Sequence, residues 1–281
     1  MTTKRAKRAF VVGVTTVALT LMGAGAAIGI VYGEPDGTDH PFVGSMVIHI
    51  DGMYFQWCSG TLVEGVDGDD VFLTAAHCVA DLDVVIPEVF EVPFEEADIL
   101  VTFDPEIMGG AGTYFEGEIH WHPSFATHGL ADLFDVAVIV FDGNIGINGY
   151  GTLPEAGLLD EMKQSGQLRD QTFTTVGYGT VRETRKGAFA SILDNLVRHQ
   201  AEQEFLSLTK AWITMSMNEA TGNAGTCYGD SGGPHFIEEG DTHTIVSLTV
   251  TGDTVCKATD KTYRLDTESA RSFLADFVLL P

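Results

Sequence analysis

From residue 40 onward, short apolar runs are broken at close intervals by Gly, Asp, Asn and Pro. Examples are Ser45–Ile50, Gly60–Val63, Val71–Ala75, Val136–Phe141, Thr172–Val176 and Thr244–Val250. Runs this short, rich in β-branched residues and bounded by turn formers, fit strands better than helices. Asp67-Gly68 between two such runs is a hairpin signal, because that pair accepts the positive φ of a tight turn. The pattern confines the chain to an all-β barrel or sandwich. One clear helical stretch is terminal: Ala270, Phe273, Leu274, Phe277 and Val278 share a face at helical spacing, with Asp266 or Thr267 placed to cap it. A weaker helical patch covers Glu155–Lys163, and Glu88–Asp98 reads as a long surface loop. No internal repeat or low-complexity linker is visible. The 281 residues suffice for one large domain or two modest ones, and Gly143–Gly149 is the plausible crossing between halves.

Residues 1–29 have a different composition. Lys4, Arg5, Lys7 and Arg8 open an uncharged run from Ala9 to Val31 that ends in small residues, Gly23 to Ala27. This reads as a signal peptide cleaved near residues 26–29, giving a secreted protein with no stable membrane association afterwards. An anchor is the competing reading, since about 20 apolar residues can span a bilayer; the small residues favour cleavage. Export makes the four cysteines a disulfide framework with three possible pairings. The formal charge of −25 becomes −29 once the leader's four cations are removed. Such a chain repels nucleic acid and anionic membranes.

The chemistry gathers in three motifs: Leu73-Thr74-Ala75-Ala76-His77-Cys78, Asp135-Val136-Ala137-Val138, and Thr226-Cys227-Tyr228-Gly229-Asp230-Ser231-Gly232-Gly233-Pro234. A serine that attacks a carbonyl needs a base beside it and backbone N–H groups aimed at the developing oxyanion. Together, in the chain order His, Asp, Ser, these motifs resemble the trypsin/chymotrypsin family of serine proteases. The match is densest at the motifs and thin over residues 80–125. Leu153–Asp160, Val176-Gly177-Tyr178-Gly179 and Tyr263–Thr267 look like bacterial secreted members.

The resemblance implies two antiparallel six-stranded β-barrels with a C-terminal α-helix, residues 30–145 carrying His and Asp and residues 146–281 carrying Ser. It implies a secreted endopeptidase working through an acyl-enzyme on polypeptide substrates, with no cofactor and no metal. His77 is then the base, Asp135 its orienting partner, in preference to nearby Asp132 and Asp142, and Ser231 the nucleophile. Gly229 and Ser231 supply the oxyanion hole, and the disulfides are Cys58–Cys78 and Cys227–Cys256. Ile30-Val31-Tyr32-Gly33 resembles the mature start of family members, whose freed amino group pairs with the acid before the nucleophile, here Asp230. The small residues before Ile30 suit leader removal as the activating cut. Gln56 stands where many animal members carry a histidine linked to the zymogen state.

For specificity the resemblance points to Gly225 at the pocket floor and to Ser247, Leu248 and Thr249 along the substrate edge, with Ser247 also supporting Asp135. Gly225 lacks the acid of trypsin-like members, and Thr249 replaces a glycine and narrows the mouth. Neutral P1 residues of small to medium size are expected. Asp260 or Lys261 is positioned to enter the far wall.

Three other readings compete. Gly229–Gly233 also fits the elbow of an α/β-hydrolase esterase, but only His235 and His243 follow the serine and the alternating helices are missing. A pseudoprotease that binds a partner is the non-enzyme alternative, kept open by Leu248 in place of the usual Trp. His120-Trp121-His122 puts two imidazoles on one strand face without a third metal ligand.

Overall fold

The computed structural model describes residues 29–127, 129–182, 192–193 and 195–281. Apart from Gly29, the expected signal peptide lies outside the described residues. Among the described residues fifteen strands run in chain order: β1 (Glu34–Pro35), β2 (Val43–Ile50), β3 (Met53–Glu64), β4 (Asp70–Thr74), β5 (Asp98–Thr102), β6 (Glu118–Trp121), β7 (Ala137–Val140), β8 (Thr172–Gly177), β9 (Val181–Arg182), β10 (Ile192–Leu193), β11 (His199–Leu208), β12 (Trp212–Ser216), β13 (Pro234–Glu239), β14 (Thr242–Gly252) and β15 (Thr259–Arg264). All six predicted runs fall on strands. Asp67-Gly68 turns the chain between β3 and β4, with Gly68 at φ +86 and Glu64 opposite Asp70.

Among the described residues, two large antiparallel assemblies hold all the strands except β9 and β10, which pair only with each other, and β1 adds to the second along β11. The second is a closed barrel: β11-β12-β15-β14-β13-β8 returns to its start because β8 pairs with both β13 and β11. The first follows the order β5-β2-β3-β4-β7-β6 and stays open between β5 and β6. There the chain loops outward after Asp104 and rejoins β5 only through the Val101–Phe115 bridge. The fold is therefore all-β with a closed six-stranded barrel and a six-stranded half-barrel. The parallel, helix-alternating sheet of an α/β-hydrolase is excluded.

Three α-helices are present among the described residues, besides a kinked turn at Gly29–Tyr32: α1 (Leu82–Phe90), α2 (Leu158–Ser165) and α3 (Glu268–Leu274). None is long and apolar enough to cross a membrane. Helix α1 reaches into the stretch expected to be a loop. Val84, Val85 and Pro87 disfavour a helix by propensity, yet Leu82 and Ile86, one turn apart, are buried in the core and hold it. Thr267, not Asp266, caps α3, accepting from Ala270 N–H at 3.3 Å. Asp266 instead takes the N–H of Leu159 and the guanidinium of Arg264.

The core fixes the two assemblies together. Met46, Leu62, Phe72, Leu73 and Val138 of the first are fully buried, and the same cluster continues into Phe236, Ile245, Leu248 and Tyr263 of the second. Asp70, also buried, anchors the crossing between them, accepting from Ile145 N–H and Tyr150 Oη at 2.7 Å each.

Candidate active site

Adjacent strand ends bring His77 and Asp135 together. β4 pairs with β7, with Thr74 opposite Ala137. His77 lies in a 3-10 turn just after β4, and Asp135 lies just before β7. Cys78 in that turn is bonded to Cys58 on β3, so the turn is held covalently to the sheet. Asp135 is 1% exposed and grips the histidine twice: Oδ2 accepts from the ring Nδ1 at 2.8 Å, Oδ1 from the backbone N–H at 2.9 Å. The ring itself is about one-third exposed, at 32%. Asp132 is committed elsewhere, capping Phe134 N–H and accepting from Tyr263 and Ser269. Asp142 is exposed.

Ser231 arrives from the other barrel on a loop stitched at every step. Asp230 N–H donates to Cys227 O, Gly233 N–H to Asp230 O, and Gly232 N–H to Thr249 O. Ser231 O accepts from Ser59 N–H at 2.8 Å, which docks the loop on β3. Gly232 closes the seam. At φ +77 it suits glycine, and a Cβ there would lie 2.1 Å from Thr74 Oγ1 and 2.8 Å from Ala75 N. Only a bare Cα lets the serine loop press on the strand end that carries His77. Gly229 (φ +92) is equally constrained: its carbonyl accepts from Gln56 Nε2 at 2.8 Å and Ser59 Oγ at 3.0 Å. Gly229 and Ser231 leave their backbone N–H groups without an acceptor among the described residues.

Asp230 is fully buried, and its carboxylate accepts from Gly179 N–H at 2.7 Å and Cys227 N–H at 2.9 Å. Burial is the main force on it and, with Asp260 nearby, pushes its pKa up to about 7. Ile30 and Val31 are also fully buried. Ile30 packs on Ala201 and Ala224, while Val31 O accepts from Gly225 N–H at 3.0 Å. Ile30 sits at φ +42, an unfavourable backbone for a β-branched residue.

Beside Ser231 opens a cavity of about 240 Å³, bounded by Thr226, Tyr228, Thr249, Gly252 and the Cys227–Cys256 disulfide. Two expected lining residues lie elsewhere. The space that a Cβ on Gly225 would enter is filled by Gln203 Nε2 and Met217 Cγ, so the cavity ends at Thr226. Leu248 is fully buried in the core, opposite Pro234 and Tyr263, and presents nothing to the cavity. Ser247 Oγ accepts from Thr262 Oγ1 at 2.8 Å, a different partner from the expected Asp135. Asp260 stands behind the cavity and does not line it. It is 0% exposed behind Thr226, and its Oδ2 accepts from Thr226 Oγ1 (2.7 Å), His235 Nε2 (3.0 Å) and Gln203 Nε2 (3.2 Å). Lys261 points away and lies over the Trp212 ring. Gln203 was not singled out in the sequence and His235 was weighed there only for the esterase reading; strand register brings both behind the cavity. A larger groove of about 900 Å³ begins at Asp132 and Phe134 but includes neither His77 nor Ser231. His120 and His122 do not converge: the first faces Glu118 and Phe277, the second Ser124 N–H and Phe134.

With a histidine–aspartate pair on one β assembly and a glycine-flanked serine loop docked onto it from the other, the architecture is a chymotrypsin-like fold of the serine-peptidase class. The family model named Trypsin matches residues 30–270, and the chain belongs to that family. Its members act on polypeptides. No curated protein matches the chain.

Proposed function

We propose that the protein is a secreted serine endopeptidase using His77, Asp135 and Ser231. The observation that carries this reading is the two-point grip of Asp135 on His77, with the serine loop pressed by Gly232 onto the strand end that bears the histidine. Ser231 Oγ attacks the scissile carbonyl while His77 Nε2 takes its proton. Asp135 holds Nδ1–H and stabilises the imidazolium that results. The Gly229 and Ser231 N–H groups receive the oxyanion, each worth about 3–4 kcal/mol of transition-state stabilisation. The intermediate collapses to an acyl-serine as His77 returns the proton to the leaving amine, and water repeats the sequence to release the acid. Secretion follows from the leader at residues 1–29 and agrees with two disulfides.

Removal of the leader before Ile30 is the activating step. Cleavage abolishes the strained torsion at Ile30, because φ requires the preceding carbonyl. It also frees an ammonium next to a segment already buried beside Gly225. That ammonium pairs with Asp230 and organises the oxyanion loop. For P1, the short cavity bounded by Thr226 and Thr249 suits neutral residues of small to medium size.

A fluorophosphonate probe tests the chemistry: mature protein should label at Ser231, and Ser231→Ala should abolish both labelling and peptide hydrolysis. Absent labelling would favour the partner-binding role. A peptide-library profile reads P1, and N-terminal sequencing of secreted protein should begin at Ile30.

A further inference from the structure

On the β13–β14 hairpin that follows the serine motif, Glu238 and His243 converge with His40 from the N-terminal segment. We propose that His40, Glu238 and His243 form a binding site for a divalent transition-metal ion of the zinc class. This proposal is independent of the peptidase reading. The three donor atoms lie within 4.8 Å of one another. Glu238 Oε1 is 2.8 Å from His40 Nε2 and 3.2 Å from His243 Nδ1. Ligand atoms around a tetrahedral Zn²⁺ with bonds of about 2.0–2.1 Å stand roughly 3.3 Å apart, so a small outward shift of Glu238 admits the ion. Two imidazoles and one carboxylate are a donor set that zinc accepts, with a fourth position left to water.

The surroundings are built as a metal site is built. His40 turns its other nitrogen, Nδ1, to Asp36 Oδ1 at 2.5 Å, which directs Nε2 at Glu238. Asp36 is itself fixed by the buried Arg198, whose Nε donates to Oδ2 at 2.7 Å. The rings have little freedom: His40 stacks on Phe236 at 5.5 Å, and His243 lies against Phe42 at 5.0 Å and Phe236 at 5.8 Å. Exposure is graded from the inside out. The side chain of His40 is 4% exposed, His243 20% and Glu238 35%, so an ion reaches the site from solvent on the Glu238 side. Without the ion a proton bridges His40 and Glu238; binding replaces it and releases it. Occupancy clamps the segment that follows Ile30 and Val31 to the β13–β14 hairpin.

The experiment uses the purified protein stripped with EDTA and titrated calorimetrically with ZnCl₂. One ion should bind per chain. Co²⁺ in its place should give the intense visible bands of a tetrahedral centre. At a hundredfold excess over Kd, Tm should rise by about 5–10 °C. Because His40 is buried and its loss risks the fold, the test rests on the two partly exposed ligands. His243→Ala and Glu238→Gln should each weaken binding by about 100-fold or more, while the far-UV circular dichroism spectrum of the metal-free protein stays that of the parent. Failure of the parent protein to take up Zn²⁺ or Co²⁺ overturns the proposal. So does equal affinity in His243→Ala, which would place the ion on other histidines.

Discussion

In the endopeptidase we propose, Thr226 is the residue on which P1 selection turns. Its hydroxyl donates to Asp260 Oδ2 at 2.7 Å and stands between the cavity and a fully buried carboxylate. Two other donors, His235 and Gln203, share that oxygen, while Asp260 Oδ1 has no hydrogen-bond partner among the described residues. A cationic P1 side chain meets the hydroxyl, not the charge. Thr226→Gly should open the path, and cleavage after Lys or Arg should rise by at least about tenfold relative to neutral P1, read as a ratio of kcat/KM values. Asp230 offers a second test. In a chain that still carries the residues before Ile30, burial raises this carboxyl from 3.8 to about 7. A carboxyl raised in the folded state stabilises that state fully only below its unfolded value. The contribution is then lost as pH climbs through the folded one. Thermal stability of an uncleaved Ser231→Ala protein should therefore decline between about pH 4 and 7, and adding Asp230→Asn should flatten the slope. In a form cleaved before Ile30, the ammonium pair we propose should keep the carboxylate charged and remove the decline. Calorimetric Tm against pH reads all three.

At the scale of elements, strands were legible and their facing was not. Val71–Ala75 and Thr244–Val250 announce themselves by composition, since β-branched runs between turn formers have few other uses. Whether Leu248 meets substrate or core depends on pairing with Pro234 and Tyr263, and a bulge between Thr249 and Thr251 resets the register beyond it. That is why Gly225, reached by counting along the chain, was a poor guide to the cavity floor, and why Asp260 could not be placed. Helix α1 escaped for another reason: tertiary burial of Ile86 outweighs the local preference of a Val-Val-Ile-Pro sequence. His77, Asp135 and Ser231 could be named because each sits in a long motif. Arg198, which is fully buried, carries no motif. Its guanidinium donates to Asp36, Gly37 O, Val43 O, Phe103 O and Tyr178 Oη, joining the N-terminal segment to both assemblies. Removing one partner of a buried ion pair leaves the other uncompensated, at a cost of about 3–5 kcal/mol. Arg198→Ala should lower the urea midpoint toward the lower end of that range, because Asp36 keeps His40 as a partner while three backbone carbonyls lose a donor.

For the molecule as a whole, charge is the property that sequence states outright and fold leaves untouched. Forty acidic against fifteen basic residues give −25, with a pI near 4.4. The functional consequence depends on distance. In 0.15 M salt the Debye length is about 8 Å, so carboxylates spread over the surface act on a substrate only through the nearest few. In 10 mM salt it is about 30 Å, and the summed field draws a cationic peptide toward the cleft from several directions. The effect belongs to encounter and not to the chemical step. For a substrate with Lys or Arg placed outside P1, kcat/KM should fall several-fold between 10 and 500 mM NaCl, while kcat stays nearly constant. A neutral peptide of the same length and P1 residue should show little change, and an acidic one should gain as repulsion is screened. If all three peptides respond alike, salt is acting on the folded enzyme, and the acidic balance serves solubility alone.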